Sequence, residues 1–186
     1  MIEVPVDGLH GRAQARADAV PELRRSMRGA RGNEVGAMGE LVAFRYLAAS
    51  GIPFREDSTV DHDAVVAGLT VDIKTKERTV EPQLWYECSV ADYNADVQQP
   101  EAYLFVSLLG GPGAGCDRFV RAWVLGSMLR STFLAVSTRW DPDMVDAANG
   151  WRPTIACRNV RVEQLSPPKA KVPAAGAPLP RRDPGR

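Results

Sequence analysis

An α/β fold is predicted by three stretches of the chain. In residues 33–51 the apolar residues recur at helical spacing. Residues 61–78 read DHDAVVAGLTVDIKTKER, two short β-rich runs parted by Ala67-Gly68. Residues 103–109, YLFVSLL, are a continuous apolar run suited to a central strand buried on both faces. At 186 residues the chain is long enough for one domain with a real core. Its 45% hydrophobic and 25% charged content fit a soluble globular protein. The expected organisation is a peripheral helical segment over 1–32, an α/β domain over 33–166, and a tail over 167–186.

The N-terminal segment is rich in arginine: Arg12, Arg16, Arg24, Arg25, Arg28 and Arg31. Val20, Leu23 and Met27 keep approximate helical spacing, with Pro21 acceptable in a first turn. A helix packed loosely on the domain is expected. Its arginines form a solvated face in the preferred reading and phosphate contacts in the other.

Asn33 is an N-cap candidate for the helix over 33–51, and Gly51 is its stop. Gly36, Glu40, Ala43, Phe44 and Leu47 fall on one face at 100° per residue, with Val35, Met38, Leu41 and Val42 roughly opposite. So much apolar circumference implies burial between layers. A carboxylate in that stripe needs a partner. Glu40 either reaches solvent at the edge of the core or points at the acids of the next motif. Gly36 and Gly39 would let the helix approach a neighbour closely.

Residues 51–55 are a turn into a short extended segment, and 56–60 a loop. With Ala67-Gly68 as a two-residue turn, Val66 faces Leu69, Val65 faces Thr70, Ala64 faces Val71 and Asp63 faces Asp72. Opposed side chains lie about 5 Å apart. Lys74 shares the face of Asp72. Two carboxylates therefore stand side by side with an ammonium beside them, and a divalent cation is the simplest compensation for the like charges. His62 alternates to the other face, so a structural or surface role is favoured over a general base.

Beyond the hairpin, Pro82 places 79–83 in a loop, and 84–90 reads as a strand. Residues 91–100 form a short helix or turn region ahead of the central strand. The glycines of 110–115 lack the framing and the Lys-Ser/Thr of a phosphate-binding loop. Residues 118–125 read as a strand stopped by Gly126-Ser127, and 128–136 as a helix. Turns follow at 140–143 and at Asn149-Gly150. Residues 154–158 and 160–162 are strand segments, and 165–168 end the fold. The tail, with six prolines and a basic excess, reads as disordered.

Composition narrows the chemistry. Cys88, Cys116 and Cys157 form no CxxC pair, and only His10 and His62 accompany them, which argues against zinc. A disulfide framework is equally unsupported, pointing to a reducing cytosol. No apolar run is long enough to span a membrane and no signal-peptide pattern follows Met1, so the expectation is a cytoplasmic protein. Net charge is zero, so a nucleic-acid surface would have to be local. Of 23 Lys+Arg only Lys74, Lys76, Lys169 and Lys171 are lysines. Lys74 then suggests a requirement for a compact, titratable ammonium, unless the placement is chance.

Gly36-x-x-Gly39-Glu40 on a helix, then Asp63, then Asp72-Ile73-Lys74 resembles the PD-(D/E)XK nuclease superfamily. The likeness covers about residues 33–108, and its cadence also resembles Holliday-junction resolvases and small phage or restriction nucleases. His62 stands where proline often precedes the first acid, and Asp72 where glutamate is commoner. The resemblance implies a restriction-endonuclease-like core, a mixed central β-sheet flanked by helices. It also implies a Mg²⁺-dependent deoxyribonuclease acting on DNA, with Mn²⁺ as substitute. Asp63, Asp72 and the Ile73 carbonyl would hold the metal, with Glu40 joining directly or through water. Lys74 would orient or deprotonate the attacking water and offset negative charge. Thr75, Lys76 and Arg78 would be placed for the DNA backbone, and Trp85, Tyr86, Tyr93 and Gln99 for a substrate groove, although aromatics at strand spacing more often belong to the core. A homodimer would suit two-strand cleavage. The alternatives are a catalytically inactive nuclease-fold module that binds DNA or a protein partner, and an unrelated α/β protein with a surface charge cluster.

Overall fold

The computed structural model describes residues 1–20, 29–57, 59–145 and 152–169. Period-two alternation in its longest strands sets the layers. In β6 (Ala102–Gly110), Leu104, Val106 and Leu108 enter one hydrophobic core while Tyr103 and Phe105 enter another. The parallel strand β4 (Leu69–Arg78) and the antiparallel strand β7 (Phe119–Leu129) flank it. β1 (Ile2–Val4) closes one edge beside β7, and β3 (Ala64–Val66) then β2 (Phe54–Glu56) close the other. The result is a mixed six-stranded sheet.

Helices α1 (His10–Ala19) and α2 (Gly29–Ala49) cover one face, sharing a core with Val71, Ile73, Val106 and Val124. A second sheet of β5 (Glu87–Ala91), β9 (Cys157–Arg161) and β8 (Thr138–Trp140) covers part of the other. Together with α4 (Arg130–Val136) it buries Val90, Val160 and Phe133 against Tyr103 and Phe105. The short α3 (Asp92–Val97) leads from β5 back to β6. The chain is thus α/β with a mixed sheet flanked by helices.

The hairpin keeps the expected register: Ala64↔Val71, Val65↔Thr70 and Val66↔Leu69. Its turn holds Ala67 at φ 49° and Gly68 at φ 91°. Two positive values match a primed turn, which follows the twist of the strands. Alanine accepts that conformation at a cost of about 1–2 kcal/mol.

Several boundaries differ from expectation, each for a tertiary reason. β1 joins the main sheet, and Val4, Val6, Leu9 and Ala13 are buried in its core, so the start of the chain is not peripheral. The expected helix around Leu23 and Met27 lies mostly outside the described residues, as do the Asn149-Gly150 turn and most of the tail. Asn33 sits inside α2 rather than capping it, its side-chain amide donating to Val20 O at 3.3 Å. Leu84 and Trp85 precede β5 in a turn closed by Tyr86 N–H to Gln83 O, and Trp85 is exposed. Gly126 does not stop β7. The strand bulges there, and Ser166 passes so close that a Cβ on Gly126 would lie 2.6 Å from its carbonyl oxygen. The two short segments expected after residue 153 are a single strand, β9.

α2 is buried along most of its length, from Val35 through Leu47. It meets β4 at Gly39, where a Cβ would fall 1.8 Å from Thr75 Oγ1. Gly36 has no such neighbour within 4 Å. Gly39→Ala is therefore expected to overpack the contact and destabilise the fold by about 1–3 kcal/mol. Gly36→Ala should be neutral or stabilising by up to about 1 kcal/mol, since alanine is the better helix former. Urea unfolding of both variants measures the difference, and equal midpoints would contradict the close approach.

Candidate active site

Asp72 and Lys74 come from alternate positions of β4, which places them on one face and in an ion pair, Lys74 Nζ to Asp72 Oδ2 at 2.6 Å. Asp63 arrives from the other hairpin arm, one step beyond the last ladder pair. Its N–H donates to Val71 O at 3.0 Å, so the backbone leaves the regular ladder there. Its Oδ2 folds back to accept the Ile73 N–H at 2.7 Å. Asp63 and Asp72 thereby come into carboxyl–carboxyl contact. Burial first, then the Asp72 charge, pushes Asp63 up to about 6, against the pull of the Ile73 N–H and Lys74.

Glu40 approaches from α2. Burial and the Asp63 charge, with smaller contributions from Glu56 and Asp72, raise it to about 8 although Arg16 opposes them. Arg16 NH2 lies 2.5 Å from Glu40 Oε2 and its NH1 3.1 Å from Glu56 Oε2. The Phe44 ring, 5.6 Å from the guanidinium carbon, supports the same arginine from below. The Glu40 carboxylate is thus held by Arg16 while lying within electrostatic reach of Asp63 and Asp72.

The cluster is short of donors. Asp72 Oδ2 and Glu40 Oε2 are buried without a hydrogen bond; each meets a cation closely but out of hydrogen-bond alignment. Among the described residues no three His, Cys, Asp or Glu side chains are gathered as a ready-made metal cage. The abutting pair Asp63–Asp72 remains, and Mg²⁺ needs only one or two carboxylates because it keeps several of its waters. The donor set fits that ion: hard carboxylate oxygens, two of them lacking hydrogen bonds, in a cluster where Asp72 raises the pKa of Asp63 and Asp63 that of Glu40.

Other expected residues lie elsewhere. Ile73 points its side chain into the helix-facing core and contributes its backbone to the site. His62 is engaged with Thr59 Oγ1 at 3.2 Å through Nδ1 and lies 3.6 Å from Asp57 Oδ2. Gln99 is exposed, whereas its neighbour Gln98 accepts from Lys74 Nζ at 3.2 Å and donates to Val60 O at 2.6 Å. Tyr86 sits under the Arg78 guanidinium.

Sequence reasoning missed Gln98, Arg16 and Glu56. A polar residue just after α3, at the entry to the parallel strand, was the available signal for Gln98. Nothing local marks Arg16, whose position depends on how α1 packs on α2.

In a metal-free buffer, ionising Glu40 and Asp63 opposes folding. Their folded pKa values are raised, so their contribution to stability is present at low pH and lost as pH rises through about 6 and then about 8. Glu40→Gln should therefore gain melting temperature relative to the parent between about pH 5 and about pH 9. A difference between the two melting curves that stays flat across that range would rule out the acid crowding.

No family model, curated protein or solved structure matches this chain.

Proposed function

We propose that this protein is a Mg²⁺-dependent deoxyribonuclease of the PD-(D/E)XK type, hydrolysing DNA phosphodiester bonds with a water molecule as nucleophile. One observation carries the reading: Asp63 and Asp72 abut on a hairpin with Lys74 paired to Asp72 and Glu40 within electrostatic reach of them. The order of elements supports it. A glutamate-bearing helix precedes a strand and an acid-bearing hairpin, and a short helix then leads to a strand parallel to β4, as expected of a restriction-endonuclease-like core.

Asp63, Asp72 and the Ile73 carbonyl would hold the cation, with Glu40 completing the set directly or through water. When bound, Mg²⁺ or Mn²⁺ supplies an acidified water and neutralises charge on the phosphate. The chain's own groups do the rest. Lys74, fixed between Asp72 and Gln98, orients the attacking water and offsets the negative charge that grows on the phosphoryl oxygens. Glu40, with its pKa near neutrality, is suited to exchange a proton with water at the edge of the site. Arg16 holds that carboxylate in place.

A second reading has its own observation. Arg16 occupies Glu40 and Glu56 together. That arrangement would also suit an inactive module of the same fold, one that binds DNA or a protein partner without cleaving.

Incubation with linear duplex, single-stranded, supercoiled and four-way-junction DNA in Mg²⁺ or Mn²⁺ separates the two. Cleavage is expected, and Lys74→Ala should lower its rate by about 10²-fold or more; because the change also strips buried Asp72 of its partner, circular dichroism checks that the variant still folds at the assay temperature. Equal rates in the two proteins would sink the assignment. Divalent cation at about a hundred times its dissociation constant should stabilise the parent by about 2.7 kcal/mol. Asp72→Asn should abolish that gain.

A further inference from the structure

Beside the acid cluster a cleft of about 420 Å³ runs along β4. Asn33 of α2, Lys76 of β4, Ser89 of β5, Tyr93 and Asn94 of α3, and Arg152 line it. Among its described lining residues are two cations and no carboxylate, in a chain whose net charge is zero. Glu87, Asp92 and Asp141 act on Lys76 or Cys157 from outside the lining, so the charge offered to an anion is that of the two side chains facing the cleft. Asn33, Asn94 and Ser89 add short polar groups that suit phosphate and sugar oxygens.

Two further features narrow the ligand. Lys76 shares the β4 face of Lys74, two residues and roughly 7 Å further along the strand, so the cleft continues the line of the acid cluster. Lys76 donates to Ser89 Oγ at 3.4 Å. Burial first, then the neighbouring Arg78, push its ammonium down to about 8, against the pull of Glu87. The Tyr93 ring, 58% exposed, stands at the same cleft on the helix that leads to Gln98. An exposed ring at the rim of a cationic groove suits an unpaired base, because the faces of paired bases are already stacked.

We propose that this cleft binds a single-stranded segment of the nucleic acid being cleaved, with Lys76 and Arg152 on phosphates and Tyr93 stacked on a base. The assignment rests on the nuclease reading for its placement, but it concerns binding, which is measured apart from hydrolysis.

The test is fluorescence anisotropy of a labelled oligothymidylate, a duplex of equal length and dTMP as competitor, in EDTA so that no cleavage intervenes. The single strand is expected to bind more tightly than the duplex. Tyr93→Ala should weaken it roughly ten-fold. Arg152→Ala should flatten the dependence of log Kd on log salt by about 0.7, the loss of one phosphate contact on a single strand. Both variants change exposed side chains, and thermal melting checks that they fold.

Affinity unchanged in both variants overturns the proposal. So does tighter duplex binding that ignores Tyr93, and so does full competition by dTMP, which would make the cleft a nucleotide pocket. Strand binding with the expected variant effects, but no Mg²⁺-dependent cleavage, keeps the cleft and discards the nuclease reading. Cleavage by a protein whose strand affinity ignores both variants does the reverse.

Discussion

The contact between α2 and β4 at Gly39 and Thr75 is the constraint on which the candidate site depends. A helix normally stands off a sheet by the thickness of two side chains. Here one of those side chains is absent, and the Thr75 hydroxyl occupies the space a Cβ would take. That approach sets the height of Glu40, the next residue, above the sheet. The N-terminal half of α2 is clamped as well: Arg118, nearly fully buried, pairs with Glu34 of α2 and at 2.9 Å with Glu77 of β4. Arg31 reaches the same Glu77 at 2.9 Å. A buried arginine bridging two acids resists sliding, because displacing either partner leaves charge uncompensated.

With the helix fixed, the acids are pressed together rather than spread out. In an ordinary surface cluster, water screens such charges and each carboxylate finds its own donors. Here Asp63 uses a backbone N–H from the strand it faces, while one oxygen each on Asp72 and Glu40 is left without a hydrogen bond. The cost is carried as raised pKa values on Asp63 and Glu40. Structural strain of this kind concentrates where a ligand or a proton is meant to arrive. The same geometry would serve cation binding and proton exchange, and both follow from crowding rather than from any single residue.

The second face of β4 completes the arrangement. Asp72, Lys74, Lys76 and Arg78 alternate along it, moving from acid to base over one strand. The small sheet covers the far end of that row, with Arg78 donating to Ser107 Oγ and Glu87 O. The middle stays accessible beside α3. A neutral chain thereby carries a polarised row on one face of β4, from buried Asp72 to the partly buried Lys74, Lys76 and Arg78.

The sequence by itself determined the local parts: the buried helix, the central strand, the hairpin with its Ala-Gly turn, and the pairing of Lys74 with Asp72. Each follows from period and turn chemistry acting over a few residues, so the Ala64↔Val71 register is legible without a fold. Only the tertiary structure decided the rest. The first residues carry too few apolar positions to announce a strand, yet β7 offers Ile2–Val4 an open edge. Arg16 and Gln98 reach the site from elements whose packing no local pattern encodes. The bulge beside Gly126 lies where Ser166, forty residues on, passes too close for a Cβ. Contacts between distant segments depend on how whole elements fit, and that information is spread over the chain rather than written at the residues that meet.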